Sequence, residues 1–192
     1  RAEPAEREKL WPRLARECDR LEALISEILV LARLDADFGT AEPVDLDAML
    51  HHLQSDTRLN APEQEVRVWV QDGVELQGWP DMLERALDNL LRNALRFNPA
   101  GQAIDLKAQC EGGRLLISVR DHGPGVASEH LSQLGEPFFR APGQTAPGHG
   151  LGLAIAKRAA ERHGGYLTLT NHPQGGFVAT LDLPLEPVIP GA

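Results

Sequence analysis

Apolar residues recur every three or four positions along the first part of the chain, which is the spacing of one helical face. This pattern predicts a long amphipathic helix over residues 5–35, with charged residues such as Glu17 and Glu27 on the opposite face. A heptad this regular favours packing against another helix in a bundle over packing on its own domain alone. The seam of this helix consists of Trp11, Leu14, Cys18, Leu21, Ile25, Ile28, Ala32 and Asp35.

The rest of the chain alternates between helical and strand-like spacing, after a segment at 39–44 that we expect to be a linker. Helices are predicted at about 46–60, 81–97 and 150–163, and Asp45 can cap the first of them. Strands are predicted at about 66–70, 74–79, 103–109, 114–121, 166–171 and 176–183. This order predicts the α+β class, a sandwich of a mixed sheet with helices on one face, preceded by one long amphipathic helix.

A long irregular stretch rich in glycine and proline separates Asp121 from the last predicted helix. A loop of that length inside a compact domain is typically a lid or a binding loop. It contains two adjacent phenylalanines, Phe138 and Phe139. We expect both rings to dock the loop on the domain, because large aromatic side chains gain free energy from burial.

Composition narrows the classes of function. The chain has 19 basic and 28 acidic residues, and its formal net charge of −9 argues against nucleic acid or an anionic membrane as the main partner. No apolar run is long enough to span a bilayer. Cys18 and Cys110 lack the spacing of a metal or redox motif, and we expect them to be reduced, buried thiols of a cytoplasmic protein.

Three alternating glycines, Gly148, Gly150 and Gly152, run directly into an apolar helix, with His149 and Leu151 between them. Glycine allows a close approach to a ligand, and a helix N-terminus presents unpaired N–H groups to an anion. The stretch therefore predicts a phosphate cradle, and a flexible helix entry is the alternative. It is not a Walker loop, because no Gly-Lys-Ser/Thr follows.

Two asparagines, Asn89 and Asn93, lie one helical turn apart, so that their amides share a face away from the leucines. An amide oxygen suits Mg²⁺, whereas paired surface asparagines are the alternative. Arg96 follows one turn later and can reach a phosphate, and Arg140 in the loop is a candidate for the γ-phosphate.

Asp121 follows a predicted strand and begins an Asp-His-Gly-Pro-Gly motif. Its carboxylate can accept a hydrogen bond from the exocyclic amine of a base, and Gly123 and Gly125 leave room for a planar ring. A Rossmann fingerprint also places glycines after a strand, but no βαβ unit follows here.

Taken in chain order, these motifs resemble the N, G1, F, G2 and G3 boxes of the sensor histidine kinases of two-component systems. The resemblance covers about residues 5–185 and implies the Bergerat ATP-binding fold, which is shared with type II topoisomerases, mismatch-repair ATPases and heat-shock chaperones. The boxes correspond to Asn89–Asn93, Asp121–Gly125, Phe138–Phe139, Gly148–Leu153 and Gly175–Gly176.

The resemblance implies a role for each site residue. Asn93 would coordinate Mg²⁺, Asn89 would help to hold the triphosphate, and Asp121 would bind the adenine amine. The glycine stretch 148–152 would wrap the phosphates. Thr180 matches a threonine of the G3 region on the last strand, and an ordinary sheet position is the alternative.

The resemblance also implies a division of the chain. Residues 1–38 would be the second helix of a dimerisation and phosphotransfer hairpin, 39–44 a linker, 45–187 the ATP-binding catalytic domain and 188–192 a tail. No histidine stands in the sequence context of the family's phosphoacceptor, so we expect a fragment that lacks this residue and cannot phosphorylate itself.

The implied function is transfer of the γ-phosphoryl group of Mg·ATP to a histidine, for relay to an aspartate of a response regulator. The expected partners are ATP, the histidine-bearing hairpin, the receiver domain of that regulator and a second copy bound through the N-terminal helix, but not nucleic acid. The expected location is the cytoplasmic portion of an inner-membrane sensor.

Three alternatives share these boxes: a conformational ATPase of the same superfamily, a pseudokinase that binds nucleotide as an interaction module, and a serine kinase of the anti-sigma type. The heptad helix and the paired phenylalanines favour a histidine kinase. The intact Asn93 and Asp121 argue against a pseudokinase.

Overall fold

The computed structural model of the chain describes residues 4–33, 39–144 and 148–186. Its helices are α1 (Pro4–Arg33), α2 (Leu46–Asn60), α3 (Pro80–Phe97), α4 (Ser128–Leu131) and α5 (Gly152–Arg162). Its strands are β1 (Glu42–Val44), β2 (Val66–Val70), β3 (Leu76–Gly78), β4 (Ile104–Glu111), β5 (Arg114–Arg120), β6 (Tyr166–Asn171) and β7 (Phe177–Pro184). The long helices and the strands of the main sheet lie within a few residues of their predicted positions.

Five strands form one mixed sheet in the order β2-β4-β5-β7-β6. The pair β2 and β4 is parallel, and the other neighbours are antiparallel. Helices α2, α3 and α5 cover one face, so Leu115, Ile117 and Val119 of β5 are buried against them, while Leu116 and Ser118 are only half-buried on the other face. The predicted α+β sandwich is therefore confirmed.

The core is built around α3, whose apolar stripe faces the sheet. Asp45 caps the neighbouring α2 by accepting a hydrogen bond from the backbone N–H of Ala48 at 3.0 Å, as predicted, and Pro80 occupies the first turn of α3. Truncating one of its buried leucines to alanine would cost about 2–5 kcal/mol. All the residues predicted to point inward from α3 are buried: Met82, Leu83, Ala86, Leu87, Leu90, Leu91 and Ala94.

Helix α1 presents two different apolar faces. Leu24 and Leu31 are half-buried and pack against the core where α1 contacts α5. Leu14, Leu21 and Ile25 of the seam remain exposed. Within the described residues α1 therefore packs on its own domain through its other face, and the helical bundle predicted for the seam stays a prediction. No helix within residues 4–33, 39–144 or 148–186 is both long enough and apolar enough to cross a membrane.

Several sequence-based expectations need correction. The linker 39–44 is not irregular throughout, because β1 pairs antiparallel with β3 in a separate two-stranded sheet. In this pair Val44 and Leu76 lie opposite each other and are buried. Cys18 is exposed and Cys110 is half-buried, so neither is the buried thiol that we expected. Asp35 of the predicted helix and the predicted tail lie outside the described residues.

A buried histidine joins α5 to the start of α3. His163 is 1% exposed, its Nδ1–H donates to the carbonyl of Ala159 at 2.8 Å, and its Nε2 accepts the N–H of Trp79 at 3.1 Å. Burial lowers the pKa of this imidazole, and the bond to Ala159 offsets only part of that effect. Gly78 is required beside it, because a Cβ there would lie 2.9 Å from the ring.

The lowered pKa of His163 predicts a loss of stability in acid. Below the ordinary pKa of 6.5 this histidine is protonated in the unfolded chain but still neutral in the folded chain. The free energy of unfolding therefore decreases as the pH is lowered below 6.5. The slope from one such proton is at most about 1.4 kcal/mol per pH unit. Urea unfolding at several pH values measures it, and His163→Gln should remove this slope. The exposed His51→Gln is the control, and an unchanged slope in His163→Gln would contradict the assignment.

Candidate functional site: a cleft between α3 and the entry to α5

One cleft brings most of the predicted site residues together. It lies between α3, the loop that leads into α5 and the adjoining ends of β5 and β7, and its cavity volume is about 130 Å³. The predicted residues that line it are Asn89, Asn93, Arg96, Asp121, Gly125, Arg140, Gly148, His149, Gly150, Leu151 and Gly152. Gly123 and Thr180 are the two predicted residues that do not line it.

Asp121 forms the inner end of the cleft and is only 2% exposed. Its Oδ1 accepts the backbone N–H groups of Gly123 at 2.8 Å and Phe177 at 3.2 Å. Burial raises the pKa of this carboxyl, and the two N–H bonds counter the rise. No residue of the described ranges donates to Oδ2, which leaves that oxygen able to accept a hydrogen bond from a ligand. A Cβ at Gly176 would collide with the carbonyl oxygen of Asp121.

Two asparagine side chains hold the beginning of the loop. Asn98, which is buried at the end of α3, accepts the backbone N–H of His122 at 2.9 Å. Asn171, at the end of β6, accepts the N–H of Val126 at 2.9 Å and donates to its carbonyl at 2.6 Å. Gly125 has no side chain because a Cβ there would lie 2.6 Å from the Asn171 Oδ1. The floor of the cleft is thus fixed by side chains from two distant elements.

The asparagines of α3 face the N-terminus of α5. The Asn89 amide nitrogen donates to the carbonyl of Arg85 at 2.8 Å, which leaves its Oδ1 toward the helix entry. A Cβ at Gly152 would lie 3.0 Å from this Oδ1, so glycine allows α5 to begin against α3. Asn93 lies one turn further along the same side of the cleft.

The remaining glycines let the chain pass close to other groups. A Cβ at Gly148 would lie 2.5 Å from Nη1 of Arg96, and one at Gly150 would lie 2.7 Å from the carbonyl oxygen of Phe139. The N–H of Phe138 donates to the carbonyl of Gly150 at 3.0 Å, with Phe138 itself in the left-handed region at φ 66°. The glycine stretch is therefore a close-packed entry to α5, and not a loose one.

Positive charge is concentrated at the end of the cleft away from Asp121. Arg92, Arg96 and Arg140 all line this end. Burial lowers the pKa of the Arg96 guanidinium, and the neighbouring charges of Arg140 and Arg92 lower it further. Arg92 pairs with Asp88 at 2.5 Å, one turn before it on α3. Mutual repulsion between these guanidinium groups favours an anion at this end of the cleft.

A carboxylate from α1 also reaches this end of the cleft. The sequence pattern placed Glu27 on the charged outer face of the N-terminal helix. The structure instead directs it inward, where its Oε2 lies 3.3 Å from Nδ1 of His149. The inward face of α1 is therefore the face of Leu24, Glu27 and Leu31, which is rotated from the heptad seam.

Thr180 is not part of the site. It lies on β7 opposite Ser118 and Thr168, on the sheet face that the helices leave open. Its neighbours Ala179 and Leu181 are buried in the core, and successive side chains of a strand point to opposite faces. The alternative, that Thr180 is an ordinary sheet residue, is therefore correct.

Gly123 and the paired phenylalanines act differently from what the motifs indicated. Gly123 packs against the end of α3, where a Cβ would lie 2.5 Å from the carbonyl oxygen of Phe97. It supports the Asp121 carboxylate through its backbone N–H and does not line the space for a ligand. Only Phe139 lines the cleft, whereas Phe138 is 58% exposed. The loop is also tied to α5 by an ion pair of 2.8 Å between Glu136 and Lys157.

Sequence reasoning did not identify several residues that line the cleft. Arg92, Phe139 and Leu153 lie inside the motifs described above, whereas most of the others are apolar and lie outside any motif. The ones not predicted as site residues are Glu27, Arg92, Phe97, Val126, Leu134, Gly135, Phe139, Ala141, Gln144, Leu153 and Phe177.

The cleft has one buried carboxylate among apolar groups and, opposite it, a glycine-rich helix entry with three arginines. This arrangement fits a nucleotide, with its base at Asp121 and its phosphates at the cationic end. The fold and the cleft thus define an ATP-binding domain. The chain belongs to the histidine kinase-, DNA gyrase B-, and HSP90-like ATPases, the family whose model matches residues 78–187.

Comparison with individual proteins places the chain among the ATP-binding catalytic regions of sensor histidine kinases. Sensor protein QseC of Escherichia coli O157:H7 is 35% identical over 182 residues, which cover 92% of this chain and 40% of QseC. The structure of full-length ShkA in complex with AMPPNP matches with a TM-score of 0.79 at 28% identity, over 98% of this chain and 41% of that one.

The structure of the cytoplasmic segment of histidine kinase QseC matches with a TM-score of 0.59 at 27% identity, over 88% of this chain and 94% of that one. The chain spans about 40% of the length of the curated relatives named QseC.

The two glycines of the β6–β7 turn provide a matched test of the Asp121 geometry. Both have positive φ, 89° at Gly175 and 92° at Gly176, but only at Gly176 would a Cβ meet other atoms. Either alanine variant should lose about 1–2 kcal/mol of stability through its backbone conformation. Gly176→Ala should in addition weaken ATP binding by more than about tenfold, because it displaces Asp121. Calorimetric titration measures this, and equal binding by the two variants would contradict the geometry.

Proposed function

We propose that this chain binds Mg·ATP in the cleft and transfers the γ-phosphoryl group to a histidine of a helical hairpin, as a protein-histidine kinase. The observation that carries the proposal is that one cleft joins the buried Asp121 to the arginines and glycines at the entry to α5. Its relatives named as sensor kinases support the same activity.

Asp121 would bind the base. Its Oδ1 is occupied by two backbone N–H groups, so its orientation is fixed before a ligand arrives. Its Oδ2 can then accept a hydrogen bond from the amino group of adenine. Burial strengthens this hydrogen bond. A base without a donor at that place would bind more weakly, because the buried Oδ2 would be left without a hydrogen bond.

The opposite end would hold the phosphates. Arg96 and Arg140 supply positive charge, and the backbone of the glycine stretch together with the first N–H groups of α5 supplies hydrogen-bond donors. Asn93 would hold Mg²⁺ through its amide oxygen, and Asn89 would help to orient the triphosphate. The described residues contain no group of three or more His, Cys, Asp or Glu side chains that could hold a metal ion. The phosphates would complete the ligands of the metal.

The chemistry required of the protein is mainly positioning and charge neutralisation. When bound, Mg·ATP supplies the γ-phosphoryl group, and the chain's own residues hold it in line with the acceptor nitrogen and exclude water. The acceptor would be a histidine on the hairpin of which α1 is the second helix. A response-regulator receiver domain would then take the phosphoryl group on an aspartate.

We propose the same division of the chain as the resemblance implies, amended for β1. Residues 1–38 belong to the dimerisation and phosphotransfer hairpin, and the domain from β1 to residue 187 is the ATP-binding catalytic domain. The match to the cytoplasmic segment of QseC supports a cytoplasmic portion of an inner-membrane sensor as the location. No observation favours a conformational ATPase or a pseudokinase over the kinase.

Asp121→Asn tests the base-binding role. The amide oxygen of asparagine can still accept the two backbone N–H groups, but its NH₂ then faces the adenine amine as a second donor. ATP affinity, measured by calorimetry with Mg²⁺, should fall about 10- to 100-fold. ITP, in which a carbonyl replaces that amine, should bind the variant better than it binds the unaltered chain.

Asp105→Asn is the matched control, because Asp105 is a half-exposed carboxylate on β4 with its side chain on the open face of the sheet.

Asn93→Ala should abolish the gain in ATP affinity that Mg²⁺ provides and leave adenosine binding in place. The kinase step is measured as transfer of labelled γ-phosphate to an added hairpin that carries the acceptor histidine. Normal ATP binding by Asp121→Asn would refute the assigned pocket.

The exposed seam of α1 supports a homodimer through this helix. Three of its leucine and isoleucine side chains are more than half exposed, and such a stripe is usually covered by another helix. Sedimentation of the unaltered chain should show a concentration-dependent dimer. Ile25→Glu should shift it to monomer, and Glu22→Gln, on the same helix, should not. A monomer at every concentration would refute this interface.

A further inference from the structure

Glu27 is a negative charge in the part of the cleft that is otherwise positive. Its side chain is 31% exposed, and its Oε2 lies 3.3 Å from Nδ1 of His149. His149 stands between Gly148 and Gly150, the first two glycines of the stretch that leads into α5. Among the described residues that line the cleft, the only other carboxylate is Asp121, which lies at the opposite end.

The charges around Glu27 show what it does there. Arg140 and Arg92 both disfavour the charged form of Arg96, whereas the charge of Glu27 favours it. Glu27 thus offsets part of the repulsion that the other two guanidinium groups exert on Arg96. The phosphates of a nucleotide would do the same with more charge and at the same end of the cleft.

We propose that Glu27 is a carboxylate from α1 that occupies the phosphate end of the cleft and competes with the nucleotide's phosphates, so that ATP binding and the packing of α1 on the domain oppose each other. This inference rests on the proposed function, because it takes the cleft to be the ATP site.

The position of Glu27 on α1 makes the competition act on the whole helix. Leu24 and Leu31 pack against the domain one turn before and one turn after it, so a movement of the helix that withdraws the carboxylate would loosen those contacts. Phosphates in the cleft would repel Glu27 and compete for His149. Coupling between two such equilibria is reciprocal. If the packing of α1 weakens ATP binding, bound ATP must weaken the packing of α1 by the same factor.

The test compares the full chain with Glu27→Gln, which keeps the size of the side chain and removes its charge. ATP affinity, measured by calorimetry with Mg²⁺, should increase about two- to fivefold, the size expected for a partly exposed charge. The increase should shrink as salt is added, because salt screens charges. Adenosine, which has no phosphates, should bind both chains equally.

Glu22→Gln is the matched control, since Glu22 is an exposed carboxylate on the same helix and is not among the residues that line the cleft. Hydrogen exchange gives the reciprocal measurement. In the unaltered chain, AMPPNP with Mg²⁺ should speed the exchange of the α1 amides around Leu24 to Leu31. In Glu27→Gln the nucleotide should speed it less.

The outcomes separate this inference from the proposed function. Equal ATP affinity in the unaltered chain and Glu27→Gln would overturn the competition while the Asp121 result still supports the pocket. Weaker ATP binding by Glu27→Gln would also overturn it, and would show that Glu27 assists Mg²⁺ or the phosphates. The same gain in ATP affinity in Glu22→Gln would overturn it as well, because the gain would then come from the net charge of the chain and not from the position of Glu27. No ATP binding by the unaltered chain would refute both proposals.

Discussion

The carboxylate of Asp121 is buried where β5 ends and β7 begins, and much of the cleft depends on how it is held there. A buried charge is costly unless it is hydrogen-bonded, and here two backbone N–H groups meet one of its oxygens. One of these comes from the next strand, so the same contacts that make the carboxylate tolerable also join the two strand ends. Glycine is required at positions 123 and 176, because the chain there passes so close to Asp121 and its neighbours that a Cβ would collide with them.

The main sheet and its helices could be predicted because their signals are local. The stripe of α3 and the alternation along β5 each lie within one continuous segment, and each reports which face is buried. The short β1 could not be predicted in this way. It has three residues, one of them proline, and it is a strand only because β3 lies beside it. Its existence depends on a pairing across more than 30 positions of chain, which no local pattern records.

The motifs identified half of the residues that line the cleft for the same reason, since each motif is a short run of residues. Most of the side chains that were missed come from elsewhere in the chain. Glu27 meets His149 across 122 positions. The heptad marks the seam of α1, whereas the face that packs on the domain is rotated from this seam. Thr180 is a different case. The buried Ala179 and Leu181 on either side of it were already visible as apolar neighbours, and the strand period would have placed it on the open face.

The length of α1 gives the contact at Glu27 a mechanical meaning. The helix has 30 residues and therefore extends about 45 Å at 1.5 Å per residue. Trp11 lies about 24 Å along it from Glu27, so each 10° of tilt about Glu27 would carry Trp11 sideways by about 4 Å. A change in the tilt of α1 at Glu27 would therefore be magnified into a movement of several ångströms at Trp11, on the seam.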